Sequence, residues 1–129
     1  MNLDRFTMKV LVTLALAVGA VTAPAADTRI AVAADGPLAQ APVSKVAARA
    51  PQILIFDAQG RLLAAYANPV AANPGGAGPA MARWLGDKQV TVLIAGDVGT
   101  NMAAELQRLQ IRSVKASGPA EQAVKAVKP

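Results

Sequence analysis

The chain has 129 residues, 13 Lys and Arg against 8 Asp and Glu, and neither cysteine nor histidine. That excludes disulfide staples, thiolate or imidazole metal ligands, and nucleophilic mechanisms built on Ser/His/Asp or Cys/His pairs. The net charge of +5 is scattered (Arg29, Lys45, Arg49, Arg61, Arg83, Arg108, Lys125), without the clustering and aromatic interleaving of a nucleic-acid interface.

Arg5 and Lys9 precede an apolar run, Val10–Val21, broken only by Thr13 and Gly19 and followed by Ala23-Pro24-Ala25. This is the layout of a secretory signal peptide over residues 1–25. The run, about 12 residues, is short for a bilayer span. With no cysteine after it, a lipoprotein anchor is not expected. Cleavage near Ala25 leaves residues 26–129 as one exported domain, expected in the periplasm with no stable membrane anchor. Roughly 100 residues suffice to bury a single core.

Arg29–Ala34 alternates, with Ile30 and Val32 on one side, and reads as a first strand. Asp35-Gly36-Pro37 ends it. Leu38–Pro51 is rich in Pro and Ala and reads as a long loop, with room for one short helix around Lys45–Arg49. Gln52–Asp57 and Arg61–Ala67 read as a hairpin, since Asp57 opens a turn well and Gly60 can take positive φ. A Pro/Gly loop, Asn68–Gly78, leads to a helix from Pro79 to about Lys88, with Met81, Trp84 and Leu85 on one face. Val90–Ile94 has the apolar content of a doubly buried strand. Gly96, Asp97 and Gly99 break it, and a helix follows over Thr100–Gln110. Ile111–Lys115 is a short fifth strand. Gly118-Pro119 opens a third helix striped by Ala120, Ala123, Val124 and Val127.

The order β-β-β-α-β-α-β-α predicts an α/β domain in two or three layers. Right-handed crossovers make strands three, four and five parallel, with the second antiparallel to them. This is a ribonuclease H-like arrangement with a mixed five-stranded sheet and about three helices.

The segments IAVAADG, VSKVAARAPQILIFDAQG and NPGGAGPAMARWLGDKQVTVLIAGDVGTNMAAEL together resemble the dinitrogenase iron–molybdenum cofactor biosynthesis family. The resemblance spans about Arg29 to Lys125. It implies a ribonuclease H-like fold, a non-enzymatic binding or carrier role towards iron–sulfur–molybdenum cluster precursors, and a link to nitrogen fixation. Many relatives read V-S-x-H-F-G-R-A-P in the entry segment. Here Val43, Ser44, Arg49, Ala50 and Pro51 match, while Val46, Ala47 and Ala48 replace H-F-G. Clusters are normally held by thiolates and sometimes imidazole. The departure therefore predicts weak cluster binding or none.

Two glycine-rich turns precede helices, Gly75-Gly76-Ala77-Gly78 and Gly96-Asp97-Val98-Gly99. Main-chain N–H groups at such positions hold anions, and glycine allows close approach. Gly75, Gly76, Gly78, Gly96, Asp97, Gly99 and Asn101 are therefore candidate ligand-binding residues, joined by Ser44 and Arg49 of the entry segment. The ligand expected is a small anion or metallocluster, or else a protein partner; the alternative is a structural or interaction module whose ligand site has decayed. No Walker lysine follows either loop, so a nucleoside triphosphatase is not supported. Asp35 and Asp97 lie just past the first and fourth strands, neighbours in such a sheet, and would be the acids of a divalent-metal hydrolase. Met81 and Met102 offer thioethers for a soft ion. Turn formation for the acids, and core filling for the methionines, are the competing roles.

Overall fold

The computed structural model describes residues 28–127, so the segment read as a signal peptide lies outside the described residues. The strands are β1 (Arg29–Ala34), β2 (Gln52–Asp57), β3 (Leu62–Ala67), β4 (Val92–Ala95) and β5 (Arg112–Lys115). Among the described residues the helices are α1 (Ala77–Asp87), α2 (Thr100–Arg108) and α3 (Ala120–Ala126), and a 3-10 turn spans Ala47–Arg49. The sheet order is β3-β2-β1-β4-β5. β2 is antiparallel to β1 and β3, while β1–β4 and β4–β5 are parallel pairs. The mixed five-stranded sheet and the parallel set of third, fourth and fifth strands agree with the pattern of the sequence.

Alternation along the strands builds three layers. Ala31, Ala33, Ile53, Ile55, Leu93 and Ala95 face one way, against Met81, Ala82 and Leu85 of α1 and Met102 and Leu106 of α2. Ile30, Val32, Leu54, Phe56, Val92 and Ile94 face the other way, towards Ala120, Ala123 and Val124 of α3. Both faces of the central strands are thus removed from water, which is why their sequences read as near-continuous apolar runs.

The hairpin forms as its turn residues require. Gly60 has φ 86°, and its N–H donates to the Asp57 carbonyl at 3.0 Å. α1 and α2 end alike. Gln89 and Gln110 take positive φ (63° and 61°), and Val90 and Ile111 donate back to the carbonyls of Leu85 and Leu106. These are Schellman ends with glutamine where glycine is usual.

One boundary moves with consequence. α1 starts at Ala77, not Pro79, so Gly78 lies inside the helix instead of in the loop. Pro79 still falls in the first turn, where its missing N–H breaks no helical bond. The short helix considered around Lys45–Arg49 is the 3-10 turn.

Candidate binding end of the sheet

β1, β3, β4 and β5 all point their carboxyl ends to one side of the molecule. From β1 the chain turns to β2, and from β4 it passes through α2 to β5 on the opposite flank. The β1–β4 pair is therefore the topological switch point, beside which open α/β sheets bind ligands.

Here that crevice is filled by the chain itself. The Ser44 N–H donates to Ala33 at 2.7 Å. Gly96 and Asp97 donate to the carbonyls of Ser44 and Lys45 at 2.8 and 2.6 Å, and Ala47 donates to the Asp97 carbonyl at 2.9 Å. A Cβ on Gly96 would sit 2.4 Å from the Lys45 oxygen and 2.7 Å from its Cα. Glycine is needed there for contact between two backbones. The expectation that the Gly96 and Asp97 N–H groups face an anion is corrected: both are spent on this ladder.

The candidate acids each have a partner of their own. The buried Ser44 hydroxyl donates to the Asp35 carboxylate, which makes Ser44 a brace between β1 and the entry segment. Asp97 is exposed and lies 3.1 Å from the Lys115 ammonium. Among the described residues no group of three or more His, Cys, Asp or Glu comes together. Met81 and Met102 are 0% and 1% exposed. They fill the core, and the thioether-site expectation is corrected accordingly. Among the described residues, Asp57 is held below the ordinary carboxylate range by the Arg61 N–H and then its side chain, and Glu105 by the Arg108 side chain.

The helix starts behave differently from the crevice. α1 is preceded by Gly76 in the left-handed region (φ 69°), and α2 by Gly99 in extended backbone. Neither has a side-chain cap or an acid in its first turn. A Cβ on Gly78, in the first turn of α1, would lie 2.8 Å from the Met102 Cβ in the first turn of α2. The two starts are packed side by side, each with first-turn N–H groups that the helix leaves unused and a positive dipole end. Gly78 is thus a packing residue, a correction to its expected place in an anion loop. Gly75, Gly76, Gly99 and Asn101 are exposed at this end. α3 differs, because Ala120 and Glu121 donate to the carbonyls of Ala41 and Ala39.

Arg49 belongs to the same end. Its Nη1 donates to the Ala71 and Asn73 carbonyls at 2.8 and 2.7 Å. Sequence reading missed Asn68, whose buried amide donates to Ala48 and Ala50 while its oxygen accepts from Val70. The Asn-Pro pair at 68–69 was its only local signal. It also missed Lys115 and Ser117, which with Ser44, Lys45, Gly96 and Asp97 line a cavity of about 250 Å3 beside the filled crevice.

The donor chemistry tests the cargo that the resemblance implies. Val46, where many relatives place histidine, is 48% exposed on the rim, and the adjoining Ala47 is fully buried. With no cysteine or histidine in the chain, thiolate or imidazole bonds to an iron cluster do not fit. Main-chain N–H groups at paired helix starts do fit an anion.

Among solved structures, the apo form of the orange protein from Desulfovibrio gigas superposes with a TM-score of 0.70 at 29% identity, covering 77% of this chain and 85% of that one. A candidate NifB protein from Thermotoga, solved by NMR, gives 0.65, also at 29% identity and with the same coverage. Comparison with curated proteins gives no match. The family described as dinitrogenase iron-molybdenum cofactor matches residues 28–129, and the chain belongs to that family.

Proposed function

We propose that this chain is a non-catalytic binding domain that holds a small anionic cargo, of the iron–sulfur–molybdenum cluster-precursor kind, at the paired starts of α1 and α2. One observation carries the reading: two uncapped helix N-termini with no acid in either first turn lie in contact at the carboxyl end of the sheet. Their parallel dipoles repel one another, and an anion over both relieves that repulsion. The family match supports that class of cargo. The missing cysteine and histidine set the mode of binding: hydrogen bonds and charge, with no bond from protein to metal. Such binding is weak and sensitive to salt. The layout of residues 1–25 supports export to the periplasm, with the mature protein starting at Ala26 or Asp27, a point that N-terminal sequencing tests directly.

Gly99→Asp tests the site. The backbone at Gly99 is extended, and a Cβ there meets nothing within 4 Å, so the side chain is accommodated. An aspartate at this position caps α2 from within and stabilises the fold by a few tenths of a kcal/mol up to about 1. The same carboxylate occupies the anion's place. Anaerobic titration with an iron–sulfur–molybdenum cluster precursor, followed by visible absorption, should show affinity falling several-fold while the thermal midpoint rises. Equal affinity in the two proteins would move the site elsewhere. No binding by the unmodified protein would favour a structural or interaction module.

A further inference from the structure

We infer that Arg49 is a positioning residue, whose guanidinium holds the loop before α1 and so fixes the first turn of α1 beside that of α2. The assignment of Arg49 to the binding end rests on the function proposed above; its hold on the loop stands on geometry alone. Residues 68–76 include two prolines and two glycines and carry few bonds of their own. Asn73 donates to Val70 at 3.0 Å, and Ala71 reaches Asn68 only at 3.5 Å. The root of the loop is tied by the Asn68 amide to Ala48 and Ala50. Its middle is tied by Arg49 Nη1 to the carbonyls of Ala71 and Asn73. Arg49 closes the 3-10 turn whose first residue, Ala47, donates to the Asp97 carbonyl just before α2. One short segment therefore grips both helix starts, the α2 side through its backbone and the α1 side through a guanidinium.

This differs from direct contact between Arg49 and the anion. A guanidinium nitrogen with two hydrogens bridges two carbonyls. A lysine side chain keeps the charge but ends one bond closer to its Cα and loses the planar fork. Arg49→Lys keeps the charge, but its shorter reach draws the donor away from the two carbonyls and weakens the bridge.

The experiment compares the wild-type protein with Arg49→Met and Arg49→Lys by amide hydrogen exchange and by anaerobic titration with an iron–sulfur–molybdenum cluster precursor. Exchange at Val70, Asn73 and Ala80 is expected to rise about tenfold or more in both variants, with β1, β2 and β4 unchanged. Affinity for the precursor is expected to fall in both. Unchanged loop exchange in Arg49→Met would overturn the inference. So would wild-type affinity in Arg49→Lys alongside faster loop exchange, because Arg49 would then be a direct charge partner. A wild-type protein that binds no precursor counts against the proposed function alone, and the exchange result then decides on Arg49. If Arg49→Met does not fold, Arg49→Lys carries both measurements.

Discussion

Gly78 and Met102 meet where α1 and α2 begin: a Cβ on the glycine would lie only 2.8 Å from the methionine Cβ. Helices that approach this closely need a missing side chain on one partner. The contact sets the spacing of the two helix starts, and with it the width of the proposed anion site.

Gly78→Ala separates this packing role from helix propensity. Propensity alone predicts that alanine within a helix gains up to about 1 kcal/mol over glycine. The contact predicts the opposite sign, a net loss of about 1–3 kcal/mol as α1 is pushed from α2. Denaturant midpoints of the two proteins decide between them.

Gly96→Ala should be costlier than its small size suggests. The added methyl meets the backbone of Lys45, with no side chain able to swing aside. The ladder joining residues 44–47 to 96–97 must open, at about 2 kcal/mol or more. Faster amide exchange at Gly96, Asp97 and Ala47 would confirm where the damage lies.

Gln89→Gly and Gln110→Gly should each stabilise the protein by about 0.5–1 kcal/mol, because both glutamines sit at positive φ. The gains should add, since the residues close two separate helix ends. Thermal midpoints of the single and double variants measure this.

Val46→His should fold normally and bind the cluster precursor more tightly in anaerobic titration. The position is about half exposed on the rim, so the imidazole can extend into solvent. Restoring the neighbouring aromatic of the family pattern is a different matter. Ala47 is fully buried, and Ala47→Phe should destabilise through overpacking, by about 1–3 kcal/mol. A triple variant that also changes Ala48 to glycine would confuse the two effects.

The Asp57 carboxyl is held below the ordinary carboxylate range by the N–H and side chain of Arg61. A depressed pKa in the folded state gives stability that is present above the unfolded carboxyl's pKa and lost as pH falls through the folded one. Wild type should therefore lose its advantage over Asp57→Asn on acidification below the usual aspartate range. Urea midpoints across that range should converge.

Much of the fold was legible in the chain. The hairpin follows from Asp57 and Gly60, and the helix stripes from apolar spacing at Met81 and Leu85, or at Ala120, Ala123 and Val124. These signals are local, set by backbone sterics and by the 2.0 and 3.6 residue periods. The sequence also limited the chemistry, since a chain without cysteine or histidine cannot bond a cluster as thiolate or imidazole proteins do. The roles of the individual glycines were not legible. Gly78, Gly96 and Gly99 look alike in sequence, yet one packs against Met102, one against the backbone of Lys45, and one stands open at the start of α2. Arg49 likewise reads as a free cation until folding brings the carbonyls of Ala71 and Asn73 to it. A residue's conformational freedom and donor set are written in its own covalent structure. What approaches it, and whether its hydrogen-bonding groups are already spent, is fixed only when the sheet brings distant segments to the same end.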